Sequence, residues 1–340
     1  MKPAGRVDLK FLLGIGISLF FLILLFRKID LNQLAAAFRT IDYRYLAAAL
    51  AITLFSYSFR AVRWHYLVLP LKKAGPRNLL AATIIGYMGN NLLPARLGEL
   101  LRAMVLADKE QLEVSAVFAT LVIDRLFDGF TVLLILVFTF FTVQLPPGME
   151  KVQQGLVTGG YVTLVLYIAV IAFLVVLKRA TARTIHMVAL LLRPLPQAVS
   201  DRVIPLLGAF ISGIRLPGKP GELTALLLSS LVIWASAAWP IDLILKAFNI
   251  QLPFSAALFI LVFLVFAVMV PASPGYVGTY HAACMYGLMA FALPKEQALS
   301  VALVVHAVGF FPVIFFGIYF LWSEKISFAT LKSKSGRKEC

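Results

Sequence analysis

The chain of 340 residues is 61% hydrophobic and 14% charged, with a formal net charge of +15. An average soluble domain is about 45–50% apolar and about 25% charged, so this composition, with a mean hydropathy of +0.91, excludes an ordinary soluble globular protein. The basic residues lie in segments between apolar runs, as loops facing anionic lipid do, which excludes nucleic acid as a partner.

In chain order, apolar runs long enough to span a bilayer are expected near 10–26, 43–69, 114–142, 154–177, 222–247 and 296–322. The first follows a basic head but lacks a small-residue cleavage site, so it reads as an uncleaved helix. Segment 30–42 is short and amphipathic and is expected along an interface. The connection 178–220 holds seven Lys and Arg residues, from Lys178 to Lys219, and the tail 326–340 is also basic. Both are therefore placed in the cytoplasm, with both termini, and residues 1–325 form one integral membrane domain of an inner or plasma membrane. Loop 27–44, with four basic residues on the outside, violates the rule.

Two apolar stretches are interrupted. Segment 79–106 breaks at Asn90, Asn91 and Pro94, and must cross an even number of times. Segment 254–292 breaks at "PASPGYVGTY", where Pro271, Pro274, Gly275 and Gly278 interrupt any helix. The first reads as a re-entrant hairpin from the cytoplasm, the second as a hairpin from the outside or as two ordinary spans. The fold class is thus all-α: about six spans plus two broken hairpins, in an inverted-repeat pattern that places a substrate site where the repeats meet.

Charges inside apolar segments mark the candidate site. Arg96, Glu99, Arg102, Asp124, Arg125 and Asp128 would together cost roughly 15–20 kcal/mol if central and unpaired. The spacing predicts Glu99 between Arg96 and Arg102 on one helical face, and Asp124 with Asp128 on another, with Arg125 turned away. Surplus guanidinium donors near Asn90 and Asn91 suit a phosphate headgroup; a closed ion-pair network that only locks the hairpin stays open beside that reading. Arg60 and Arg63 approach the cytoplasmic end of their span, where snorkelling to lipid phosphates is the expectation and lining the pathway the alternative. Asp242 and Lys246 are expected to pair at i,i+4.

Cys284 and Cys340 form no disulfide framework or metal knuckle, and His65, His186, His281 and His306 lack zinc spacing, so no metal is expected. His281 directly follows the second break, either as a satisfied histidine or in proton coupling. No phosphate-binding G-x-x-x-x-G-K-[ST] loop is present. No catalytic residue and no cofactor are assigned.

The blocks "NNLLPARLGELLRAMVL", "VIDRLFDGF" and "PASPGYVGTYHA" resemble the flippase-like membrane family that includes the transmembrane region of lysylphosphatidylglycerol synthase. The resemblance covers about residues 10–325 and implies lipid translocation by re-entrant helices. Block by block it points to Asn91, Pro94, Arg96, Gly98, Glu99 and Arg102, then Arg125 and Asp128, then Pro274, Gly275 and Gly278. Asp124 departs from the glutamate common before the arginine, and His281 from a glutamate that often follows the Gly-rich break. If that glutamate couples or gates transport in the family, an imidazole here changes the pH range of that role or abolishes it. The chain ends at "SEKISFATLKSKSGRKEC", so lysine transfer by an aminoacyltransferase domain is not expected. The leading expectation is a non-enzymatic lipid flippase or scramblase for an anionic phospholipid, an aminoacylated lipid or a polyprenyl-phosphate-linked sugar. The alternative is a membrane subunit or scaffold for a separate soluble synthase or glycosyltransferase.

Overall fold

The computed structural model describes residues 39, 41–93, 96–143, 150–269 and 274–326. The expected first span (10–26), most of segment 30–42, Pro94, Pro271, the loop 144–149 and the tail from Ser327 onward lie outside the described residues.

Every regular element among the described residues is helical, as the polytopic reading requires: α1 (Tyr43–Val68), α2 (Pro76–Leu92), α3 (Gly98–Glu110), α4 (Val114–Thr142), α5 (Glu150–Arg179), α6 (Thr181–Leu192), α7 (Gln197–Gly213), α8 (Pro220–Ala247), α9 (Phe254–Met269), α10 (Thr279–Met289) and α11 (Lys295–Ser323). Helices α1, α8, α11 and the Val157–Arg179 part of α5 are long and apolar enough to cross a membrane. Helix α4 has comparable length, 29 residues, with Asp124, Arg125 and Asp128 on it.

Helices start where the chain supplies caps. Asp42 accepts the Arg44 N–H at the head of α1 (2.9 Å), and Pro residues open α2 and α8, where a missing N–H costs nothing. Glu110, the last residue of α3, accepts from the Gly75 N–H (2.8 Å) and Asn78 Nδ2 (2.8 Å) at the head of α2. A carboxylate thus faces the positive end of that helix. Glu324, just past α11, binds Arg77 Nε (2.7 Å) and Lys109. The outer ends of α2, α3 and α11 are therefore fastened together.

The most extensive helix pair is α1 with α8. It is antiparallel: Asp42 N–H donates to the Ala247 carbonyl (2.9 Å), while Arg63 reaches Ser230 (3.2 Å) further along. Contacts repeat about this pair. Helix α2 packs on α1, α3 and α11 just as α9 packs on α8, α10 and α4, and α3 packs on α4 as α10 packs on α11. The same arrangement is thus traced twice, in opposite directions, by residues 43–142 and 220–323. One hairpin enters from the end where Glu110 and Glu324 sit, the other from the end where Asp42 meets Ala247.

Both hairpins have short legs. The 17 and 13 residues of α2 and α3, and the 16 and 11 of α9 and α10, rise roughly 25, 20, 24 and 17 Å, against about 30 Å of hydrocarbon. For 254–292 this favours the hairpin over two ordinary spans. The tips meet: Arg96 donates from Nη2 to the Val268 carbonyl (2.6 Å), and the Pro274–Tyr276 turn packs on α2. The α2–α3 crossing is backbone-tight. A Cβ on Gly98 would stand 2.1 Å from Gly86 O and 2.2 Å from Asn90 N, so only glycine fits.

The connection 178–220 is largely helical. Lys178 and Arg179 complete α5, α6 and α7 follow, and α7 packs on α4.

Candidate functional site

The charged side chains of the first half converge on the space between α1, α2, α3 and α4. Arg63, fully buried on α1, binds Asp124 Oδ1 through Nε (2.8 Å), Asp128 Oδ1 through Nη2 (2.8 Å) and Ser230 of α8 through Nη1 (3.2 Å). Asp124 and Asp128 share a face of α4, as their spacing predicts, and that face is turned to Arg63. Arg102 gives Nη1 to the other oxygen of Asp124 (3.2 Å) and lies over the Trp64 ring, 4.1 Å from its centroid. Trp234 Nε1 donates to Asp128 (3.1 Å). With Arg63, Arg102 and Asp124 no more than 1% exposed, this end of the cluster is sealed.

The other end is open. Arg125 binds Glu99 (2.7 Å) and Asp128 (2.8 Å), with side chains of Arg125 and Glu99 37% and 20% exposed. Asn90 Nδ2 donates to Glu99 (3.1 Å). At the centre stands Tyr87, whose hydroxyl accepts from Arg60 (2.7 Å) and Arg125 (3.3 Å). Its ring lies within 6 Å of the guanidinium carbons of Arg60, Arg102 and Arg125, close enough for cation–π attraction. The aromatic face holds three like charges together that would otherwise repel.

This set contains four guanidinium groups and three carboxylates, so one positive charge is in excess. Three donor atoms, Arg102 Nε and Nη2 and Arg125 Nε, and two acceptor atoms, Glu99 Oε2 and Asn90 Oδ1, are buried in this cluster without a hydrogen-bond partner among the described residues. Unmet buried donors cost about 1–3 kcal/mol each, more when charged. A site arranged this way favours an incoming anion with several oxygens, such as a phosphate.

Three expectations are corrected. Arg96, Glu99 and Arg102 do not form a ladder, because α3 begins only at Gly98 and Arg96 precedes it in a left-handed conformation (φ 55°). Each charge instead leaves its own helix, Arg96 for Val268, Glu99 for Arg125 and Arg102 for Asp124. Arg63 does not snorkel to an interface; it is the centre of the sealed end. Arg125 is not turned away from Asp128 but bonds it. Asn91 is half-buried at the end of α2, outside the ion pairs. Asp242 and Lys246 pair as expected (2.7 Å).

The second hairpin carries a different arrangement. Gly275 and Gly278 have φ of 71° and 93°, a region that favours glycine, and the Gly278 N–H points to His281 Nδ1 (3.4 Å). His281 Nε2 lies 2.9 Å from Nδ1 of His306 on α11, and His306 bonds the Gly275 backbone. His281 therefore belongs to a closed imidazole chain that ties the second turn to α11. Pro274 begins that turn.

Sequence reasoning missed Tyr87, Trp64, Trp234, Ser230 and His306. Tyr87 sits in "GYMGNN", beside the asparagines already singled out. Trp64 adjoins Arg63, so an aromatic next to an intramembrane arginine was the available signal. Trp234, Ser230 and His306 come from the distant half, and nothing local marks them.

A family described as the lysylphosphatidylglycerol synthase TM region matches residues 11–317. The chain belongs to that family. It is also 25% identical, over 95% of its own length, to the glycosyltransferase AglD of Haloferax volcanii. The match spans about half of that protein, 55% of its length. No solved structure matches the chain. Family membership and the spanning helices make this an integral membrane protein.

Proposed function

We propose that the chain moves a phosphate-bearing lipid between leaflets, with the headgroup held at the open end of the arginine cluster. The observation that carries this reading is the excess positive charge of the cluster at its open end, where the partly exposed Arg125 keeps an unpartnered Nε beside the partly exposed Glu99. The second hairpin strengthens it. Segment 254–292 builds the same kind of broken pair without one Asp, Glu, Lys or Arg, so the architecture does not need the charges that the first hairpin holds. Arg60 and Arg125 would engage the phosphate, with the buried charge of Arg102 behind them; Tyr87 would keep the three together, and Glu99 and Asn90 would trade partners as the headgroup enters. Arg96, at the meeting of the tips, would link headgroup entry to the second hairpin. On this reading the protein is a transporter, not an enzyme. It lies in the inner or plasma membrane, and the fastened end at Glu110 and Glu324 faces the cytoplasm, as the neighbouring loop charges favour.

The test is leaflet exchange of headgroup-labelled lipids in proteoliposomes, read with a membrane-impermeant quencher. Wild type is expected to exchange anionic or polyprenyl-phosphate lipids in preference to zwitterionic ones, and Arg125→Gln to lose that exchange while remaining folded. Exchange that is headgroup-blind, or unchanged in Arg125→Gln, overturns the reading. The likeness to a glycosyltransferase supports a second reading, in which the lipid carries a sugar and the chain serves a glycan-assembly enzyme. Recovery of a soluble glycosyltransferase with the purified chain, without lipid exchange, would favour it.

A further inference from the structure

A cavity of about 580 Å³ opens between α4, α5 and the segment after α7, on the flank of the molecule. Its walls are apolar, formed chiefly by Phe127, Phe130, Tyr167, Ile171 and Leu174, and its mouth carries Lys178, Arg179 and Arg215. The α4 residues that line it, Ile123, Leu126, Phe127 and Phe130, leave out Asp124, Arg125 and Asp128, which face the ion cluster. It is a separate site, and it does not rest on the transport reading.

We propose that this cavity holds a resident anionic phospholipid, its acyl chain in the trough and its phosphate beneath the three cations. Dimensions agree. From Tyr167 to Arg179 the wall rises roughly 18 Å along α5, a little more than half of the about 30 Å hydrocarbon core. One leaflet's chain therefore fills the trough and brings its phosphate to the basic mouth. Charge agrees as well. The three cations come from two separate stretches of chain, the end of α5 and the segment after α7, and no carboxylate lines the cavity. Lys178 already donates one hydrogen bond to the Ile211 carbonyl of α7 (3.1 Å), which holds its ammonium at the mouth rather than out in solvent. Basic pockets between spanning helices on the cytoplasmic side take anionic headgroups.

The occupant also answers a packing question. Helix α5 meets α4 closely at two places, where Gly129 faces Tyr167 and Gly160 faces Leu136, and the cavity separates them toward the basic end. A lipid there completes the contact between α5, α7 and the body.

Native mass spectrometry of the delipidated full chain, titrated with dioleoyl-phosphatidylglycerol or dioleoyl-phosphatidylcholine, tests this. Wild type is expected to retain phosphatidylglycerol at least tenfold better, and Arg179→Gln with Arg215→Gln to lose that preference. Equal retention of both lipids by wild type, or an unchanged preference in the double variant, overturns the proposal. Ile171→Trp fills the trough without touching a charge and is expected to abolish the rim-dependent adduct; an unchanged adduct overturns the proposal too. Glycerophosphate alone is expected not to bind, and binding as strong as the lipid's would remove the trough from the site. Arg125→Gln is expected to keep the rim-dependent adduct while losing leaflet exchange, so failure here and failure of the transport reading are distinguishable.

Discussion

The two hairpins occupy matching places in the contact pattern and differ in almost everything chemical. In the first, Gly86 and Gly98 bring backbones together, and Glu99 and Arg102 reach out to α4. In the second, large apolar side chains such as Phe259 and Phe263 fill the space, and the histidine on its glycine turn meets a second imidazole on α11 in place of any ion pair. Short legs and a broken middle therefore suffice for the architecture, and the ions of the first hairpin are an addition to it. An internal comparison of this kind separates what the fold requires from what the site requires.

The largest effect is expected at the sealed end. Asp124→Ala leaves Arg63 and Arg102 buried without their shared carboxylate, and removing one partner of a buried pair costs about 3–5 kcal/mol. Thermal unfolding in lipid nanodiscs should show it; stability equal to wild type would mean that the sealed end of the ion cluster does not support the bundle. Next is the crossing. Gly98→Ala drives a methyl into the backbone of α2 and should cost about 1–3 kcal/mol or more. Gly287→Ala meets only the end of the Ile260 side chain at 2.8 Å, and the gain of about 1 kcal/mol in helix propensity should leave it near neutral. Equal losses at the two glycines would erase the contrast between backbone-tight and side-chain-filled hairpins.

A smaller effect on stability, with a large one on exchange, is expected for Arg60→Gln, since Arg60 is half-buried and bonds a phenol rather than a carboxylate. Thermal unfolding within about 1 kcal/mol of wild type, with anionic-lipid exchange lost, would sharpen the division between sealed and open ends. The smallest effect concerns pH. Hydrogen bonds from Asn78, Gly75 and Lys72 outweigh the burial of Glu110 and hold its carboxyl below the ordinary value of 4.5. The Lys109 hydrogen bond, then Arg77, does the same for Glu324. Depressed values mean that the unfolded chain takes up protons first. This stabilisation is thus complete above about pH 4.5 and fades as pH falls through the lower folded values. Glu110→Gln and Glu324→Gln should flatten the melting temperature below pH 5, and an unaltered acid slope would show that these clamps do not hold the first hairpin.

Much of this was legible in the chain. Apolar run lengths placed the described spans to within a few residues, and Pro and Gly located both breaks, because backbone that cannot be helical is marked by residues that cannot be helical. The partners of the charges were not legible. Spacing within one helix suggested Arg96 with Glu99, but an intramembrane charge takes whichever opposite charge the packing presents, and that depends on α1 and α8. Arg63 shows the limit: near the end of a span by count, it lies at the centre of the cluster because α1 and α8 enclose it. His281 was visible as unusual, yet its meaning depended on His306, 25 residues on and on another helix.

The cluster's last wall has a consequence for how the chain is made. Trp234 closes on Asp128 across 106 residues, and Ser230 on Arg63 across 167. At the usual elongation rate Trp234 is made roughly 5–20 s after Asp128. For that interval the first half sits in the translocation machinery or the bilayer with its guanidinium and carboxylate groups lacking their lid. The arginine–aspartate pairs within the first half are then the charges' main shelter, and the insertion of α8 is the moment at which a half-built membrane protein becomes a dry one.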